Sequence, residues 1–225
     1  MATGYPPTYS VRRQYLDRDL GGESGVLTGR VLEIGCGRQG RRGRFQPPTG
    51  SGVSWTYLDR DLVRRPHVCA DAVRLPVRSS AFDVVVCLEV LEYVSEPLTA
   101  LAEIRRLLRP AGTLLLSTPF MHRMDSPADC WRFTEAGLRQ LLAAAGFSVE
   151  RCLSQGGAFA VVASVLRYVV STRGPMLRRV LHALLGPVVS GLLWLDSIMV
   201  RRHPELGTFT TGYLVVARRS EPETV

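Results

Sequence analysis

The 225-residue chain contains no lysine: its 28 basic side chains are all arginine, set against 20 carboxylates and four histidines. The formal net charge of +8 is therefore carried entirely by guanidinium groups, which pair bidentately with phosphate, carboxylate or anionic lipid headgroups. A solvated arginine-rich surface is the plainer reading, because net charge speaks to solubility and association rather than to fold. Paired cysteines are also missing. Cys36, Cys69, Cys87, Cys130 and Cys152 form no CxxC, are odd in number, and in two cases sit inside apolar runs. This excludes a disulfide framework and a zinc ribbon and predicts reduced thiols in a cytoplasmic protein. His67, His122, His182 and His203 are dispersed, so no metal site is expected. Met1 to Tyr15 lacks an apolar core, so no secretory signal is expected there. No internal repeat occurs.

What is present suits one domain with an inserted element, and 46% apolar residues suffice for a substantial core. Arg30-Val31-Leu32-Glu33-Ile34, followed by Gly35-Cys36-Gly37, predicts a strand and a tight turn. Trp55 to Leu58, ending in Asp59, predicts a second strand. Phe82 to Leu88 is a continuous β-branched run, as expected of a strand buried on both faces of a parallel sheet. Pro97 to Leu108 carries Leu98, Leu101, Ile104, Leu107 and Leu108 on one helical stripe, stopped by Pro110-Ala111-Gly112. Thr113 to Ser117 is another buried strand. Thr134 caps a helix over Glu135 to Ala145 that ends at Gly146. Phe147 to Leu153 and Gly212 to Arg218 complete the strands. The alternation predicts an α/β, Rossmann-like, doubly wound and mostly parallel sheet, with helices on both faces and a helical insertion before the last strand.

The glycines after the first strand stand where open α/β sheets bind ligands, and a missing Cβ there lets backbone amides approach. Gly40 completes a GxGxxG, which raises a dinucleotide site. Such a site needs a long helix directly after the glycines to receive the pyrophosphate, and Arg41-Arg42-Gly43-Arg44-Phe45-Gln46-Pro47-Pro48 cannot supply one. Asp59 closes the second strand, Ala70-Asp71-Ala72 and Leu75-Pro76 follow, Glu89 to Val94 succeeds the buried strand, and Leu107 to Gly112 precedes the next. In this order and spacing the set resembles class I S-adenosylmethionine-dependent methyltransferases of the type 11 kind, over Gly29 to Leu153.

The resemblance implies S-adenosyl-L-methionine as cofactor. Glu33, Gly35 and Gly37, with Cys36 between them, match the motif whose loop packs against the methionine part. Asp59, with Arg60 beside it, matches the acid for the ribose hydroxyls. Asp71 matches the acid for the adenine amino group, with the Ala72 backbone alongside. Leu88 and Glu89 match the start of the segment that lines the cofactor and the acceptor pocket. Local alternatives remain, since Asp59 can cap a turn and Asp71 the amides that follow it. The missing first helix departs from the family pattern and leaves open what covers that side of the sheet.

Ser117-Thr118-Pro119-Phe120 and Asp129-Cys130-Trp131-Arg132-Phe133-Thr134 resemble a subfamily in which a tyrosine stands at the Cys130 position. Trp131 and Phe133 are candidates either to line an acceptor pocket or to pack. His122 is the leading general base for a hydroxyl acceptor, because histidine titrates near neutrality; Glu92 and Asp125 are lesser candidates. The expected acceptor is a small molecule, natural product or glycan/glycolipid, methylated at oxygen in preference to nitrogen. Nucleic-acid methylation is suggested by charge alone. Against it, Glu89-Val90-Leu91 replaces an Asp/Asn-Pro-Pro-aromatic motif, and no Pro-Cys dipeptide occurs. A catalytically inactive binding protein on the same fold is the third reading.

Roughly sixty residues separate Leu153 from Gly212, where the fold needs only a connection. Leu177, Val180, Leu181, Leu184, Leu185, Val188, Leu192 and Leu195 predict an amphipathic helix kinked near Gly186-Pro187. His182, Pro187 and Asp196 weigh against a transmembrane span. A lid for a hydrophobic or lipid-linked acceptor, a homodimer surface, and a peripheral membrane contact aided by arginine all fit, as does a plain helix packed over the sheet. The expected division is an N-terminal segment over 1–28 that covers the cofactor site, a core over 29–156, a helical insertion over 157–206, and a last strand and tail over 207–225.

Overall fold

The structure, a computed structural model, describes residues 9–37 and 43–221. Gly40, Arg41 and Arg42, which bear on the dinucleotide reading, lie outside the described residues, as do the first eight. The chain enters through helix α1 (Val11–Gly22), where the Ser10 hydroxyl accepts from the Arg13 amide at 3.1 Å as a cap. Strands β1 (Gly29–Ile34), β2 (Val53–Asp59), β3 (Val68–Cys69) and β4 (Phe82–Leu88) follow. Then come α2 (Pro97–Leu107), β5 (Leu108–Pro119), α3 (Glu135–Ala144), β6 (Phe147–Ser154), the hairpin of α4 (Ala158–Ser171) and α5 (Pro175–Arg202), and β7 (Gly212–Arg219). The seven strands run in the order β3-β2-β1-β4-β5-β7-β6. The first five are mutually parallel, and β7 is antiparallel to both β5 and β6.

Alternation along the central strands divides the core in two. Leu32, Val85, Leu114 and Leu116 pack beneath α2 and α3, while Val31, Val84, Val86 and Leu115 pack with Leu16 and Leu20 of α1. Neighbouring residues point to opposite faces and both faces are covered, which is why these strands read as unbroken apolar runs. α2 buries Ala100, Leu101, Ile104 and Leu107, but Leu98 is exposed and Leu108 already belongs to β5. Thr134 caps α3 by accepting from the Gly137 amide at 3.1 Å.

Among the described residues no helix lies between β1 and β2, and α1, which the hydrophobic pattern did not announce, fills that side of the sheet. Its inward side carries Arg12, Asp17 and Asp19 beside Val11, Leu16 and Leu20, so buried charges break the apolar stripe that would signal a helix.

The insertion is a helical hairpin, and α5 is continuous through Pro187. It rests on α1 and does not lie over the sheet: Val11, Ala160, Ala163 and Val189 form a small core of their own. The predicted stripe is only partly inward, because Leu177, Val180, Leu184 and Val188 are exposed. Asp196 is 2% exposed. Its carboxylate accepts from the amides of Gly157 and Ala160 at the start of α4, at 3.0 to 3.2 Å, and from the Tyr15 hydroxyl at 3.0 Å. It thereby supplies the acceptor that the first turn of α4 lacks and ties both hairpin helices to α1. Asp196→Ala strands those donors. We expect it to lower the free energy of unfolding by about 1–3 kcal/mol and to admit protease within 157–203; an unchanged urea midpoint would show that the carboxylate holds nothing.

Candidate functional site

The site lies beyond the carboxyl ends of β1, β2 and β4. Gly35 and Gly37 take φ of +72° and +54°, and a Cβ on Gly35 would stand 2.2 Å from Val90 Cγ2. Only glycine permits this bend at this approach. The amides of Gly35 and Cys36 both donate to the Leu58 carbonyl, at 2.8 and 3.2 Å. The Gly37 amide donates to Asp59 Oδ2 at 2.9 Å and the Asp61 amide to Oδ1 at 3.0 Å. Asp71 Oδ1 accepts from the Val73 amide at 3.2 Å. Both carboxylates therefore cap local turns, yet each oxygen has two acceptor sites, so capacity for a ligand remains.

These segments enclose a cavity of about 570 Å³, in the range of small-molecule sites. Gly35, Gly37, Asp59, Asp71, Ala72 and Glu89 all line it, with Arg60 beside them. The other three predicted residues stand behind its wall. Cys36 and Glu33 are buried at 5% and 4% exposure, and Leu88 packs against the core on the α1 side. Burial, followed by the nearby Asp59 carboxylate, pushes the Cys36 thiol up to about 11, leaving it unreactive at neutral pH.

Glu89 sits at φ +57°, a strained region for a residue with a Cβ. The buried Arg12 guanidinium holds it there: Nε donates to Oε2 at 2.7 Å, and Nη2 pairs with Oε1. The Ser117 hydroxyl donates to Oε1 at 2.5 Å. Burial alone would raise this carboxyl, but the guanidinium charge and these hydrogen bonds bring it below the usual glutamate value. Glu92, three residues on, is 2% exposed, and its Oε2 has no hydrogen-bond partner. Burial first, and Glu89 second, push it from 4.5 up to about 8. Glu92 thus favours its protonated form at neutrality.

His122 does not line this cavity. It belongs to a neighbouring one of about 770 Å³, walled by Met121, Arg123 and Asp125 and, from α4, by Val165, Arg167 and Tyr168. The segment between β5 and α3 lines both spaces, with Met121 to Arg123 and Asp125 on the second and Ala128 and Cys130 on the first. His122 Nε2 lies 3.7 Å from Asp125 Oδ2, within ion-pair reach but beyond a hydrogen bond. Arg123 contacts the same carboxylate at 2.5 Å and lies 4.5 Å above the Tyr168 ring. The His122 imidazole first, and then Arg123, hold Asp125 below its ordinary value against the effect of burial. Trp131 and Phe133 line neither cavity. Trp131 donates from Nε1 to the Val94 carbonyl at 2.9 Å, and Phe133 is a core residue; packing is their role here.

Sequence reasoning missed Arg12, Ser117 and Tyr93. Tyr93 lines the first cavity and lies within the Glu89 to Val94 segment already singled out. Arg12 has no local motif, and its partners lie 77 to 199 residues away.

Residues 32–116 match a family profile described as a methyltransferase domain. The ubiquinone biosynthesis O-methyltransferase of Xanthomonas campestris is 34% identical over 102 residues, covering 40% of this chain and 42% of the relative. The chain spans about two fifths of the length of the curated relatives it matches. Among solved structures, the [4+2]-cyclase SpnF superposes with a TM-score of 0.59 at 22% identity, covering 93% of this chain and 82% of that one. The 1,6-didemethyltoxoflavin-N1-methyltransferase of Burkholderia thailandensis, solved with its substrate and S-adenosylhomocysteine, gives 0.53 at 20% identity, covering 95% and 80%. These structural likenesses establish the fold.

A carboxyl raised to about 8 keeps, in the folded chain, a proton that the unfolded chain releases near 4.5. Stability contributed by protonated Glu92 is therefore complete below pH 4.5 and declines as pH rises toward 8. Glu92→Gln should flatten the melting temperature across this window and be the more stable form at pH 8. Parallel melting curves for the two proteins would contradict a protonated Glu92.

Proposed function

We propose that the protein transfers a methyl group from S-adenosyl-L-methionine to a hydroxyl of a small-molecule or lipid-linked acceptor, a reading supported by the match of residues 32–116 to a methyltransferase-domain profile. The observation that carries this reading is the convergence of the glycine bend, Asp59, Asp71 and Glu89 on one cavity. The residues suit the cofactor. Asp59 has acceptor capacity left for both ribose hydroxyls, Asp71 for the adenine amino group, and the bend at Gly35 and Gly37 offers a surface without Cβ atoms for the methionine part. When bound, the cofactor supplies an electrophilic methyl on a sulfonium.

The protein's own task is positioning and water exclusion. Holding a nucleophile in line can supply roughly 7–11 kcal/mol of barrier lowering. The acceptor occupies the second cavity, where Val161, Val165 and Tyr168 of α4 offer apolar surface and the segment after β5 carries His122. His122 takes the hydroxyl proton, and Asp125 steadies the imidazole through its Nε2 side, leaving Nδ1 for the proton. Oxygen as the methylated atom agrees with the name of the Xanthomonas relative. The cyclase neighbour is a reminder that the fold alone does not set the reaction, so binding and turnover are separate tests.

Asp59→Ala should weaken S-adenosylmethionine binding about 10- to 100-fold by calorimetry, in line with loss of a charged hydrogen-bond acceptor; no heat with the unaltered protein would end the proposal. His122→Ala should leave cofactor affinity intact and lower turnover by about two to four orders of magnitude. Full turnover in that variant would remove His122 from the chemistry.

A further inference from the structure

α5 has two apolar sides, and the protein covers one. Val189, Leu192 and Leu193 face α1 and α4. On the other side Leu177, Val180, Leu184 and Val188 recur every three or four residues and are 48–65% exposed, with Trp194 at 66%. Val165 and Tyr168 are exposed on α4. An apolar stripe of this length on a surface marks contact with another apolar phase.

Charge identifies that phase. From Ala158 to Arg202 the hairpin carries six arginines, Arg167, Arg173, Arg178, Arg179, Arg201 and Arg202, and one carboxylate, Asp196. Asp196 is buried, so the hairpin exposes no acidic side chain. Against a second copy of itself this surface would set arginine against arginine. Against anionic headgroups it meets opposite charge, while the apolar stripe reaches the acyl boundary. We propose that the outward face of the α4–α5 hairpin docks the protein on an anionic bilayer, with α5 lying in the plane of the surface.

α5 spans 28 residues and is long and apolar enough to cross a bilayer. Crossing would strip Asp196 of its bonds to Gly157, Ala160 and Tyr15 and carry a carboxylate into hydrocarbon. Lying flat keeps every one of those bonds. The docked face also borders the His122 cavity, since Val165 and Tyr168 are exposed and belong to its wall. A lipid-linked acceptor would enter directly from the bilayer; this corollary rests on the acceptor reading above, whereas the docking does not.

The test is flotation of the full chain with vesicles of phosphatidylcholine alone or with phosphatidylglycerol added. The protein should float with the anionic vesicles and be released from them by alkaline carbonate. Leu184→Glu combined with Val188→Glu should lower the bound fraction at least about tenfold. Arg173→Gln combined with Arg179→Gln, which leaves the apolar stripe intact, should erase most of the preference for anionic lipid. Flotation with neither vesicle, undiminished flotation of both variants, resistance to carbonate, or a dimer that the glutamate variant dissociates would each overturn the proposal. Calorimetry with S-adenosylmethionine on the same preparations separates the two readings: intact heat without flotation sinks the docking alone, and flotation without heat sinks the methyl-transfer reading alone.

Discussion

The Arg12–Glu89 ion pair is the contact on which the arrangement of this protein turns. One guanidinium, 3% exposed, reaches Glu89 at the end of β4 and also donates to Gln155 Oε1 at 2.9 Å and the Thr211 carbonyl at 3.1 Å. It joins the N-terminal helix, the rim of the first cavity, and the two segments that flank the helical hairpin. Removing Glu89 would leave the buried Arg12 charge without its ion-pair partner, which is far more damaging than losing a surface pair. The approach is tight enough that a Cβ on Gly212 would fall 1.7 Å from Arg12 Nη1. The pair also holds Glu89, whose backbone is left-handed, at the rim of the cavity that it lines.

Because α1 is pinned on one side by Arg12, it serves as a foundation on the other. Val11 packs in the small core beneath the hairpin, and Tyr15 donates to Asp196. The strand-end cavity and the hairpin are thus coupled through two turns of one helix. A change in how the hairpin sits has a short, packed route to Glu89 and to the second cavity, which takes Ser10 and Val11 as part of its wall.

Two glutamates three residues apart are driven in opposite directions by the same surroundings. Both are desolvated, but only Glu89 has a guanidinium, so it stays charged while its charge helps to keep Glu92 neutral. Their titration belongs to the pair. The asymmetry leaves one negative charge at the first cavity, while His122 lines the second beside its own carboxylate, Asp125.

What the sequence determined by itself was local and periodic. Phe82 to Leu88 reads as a doubly buried strand and is one, Thr134 caps its helix, and the glycines and aspartates at successive strand ends fall around one cavity. Period and turn chemistry act over a few residues, so they survive in a linear reading. The tertiary structure decided the rest. α1 escaped notice because charged residues interrupt its inward apolar side, and the partners of Arg12 lie 77 to 199 residues away. Trp131 and Phe133 went to packing, and His122 came to line a different cavity from Glu89. Along α5 the spacing of leucines and valines displayed an apolar face but not whether protein covers it. That depends on where α1 and α4 stand, and only the three-dimensional path of the chain sets them there.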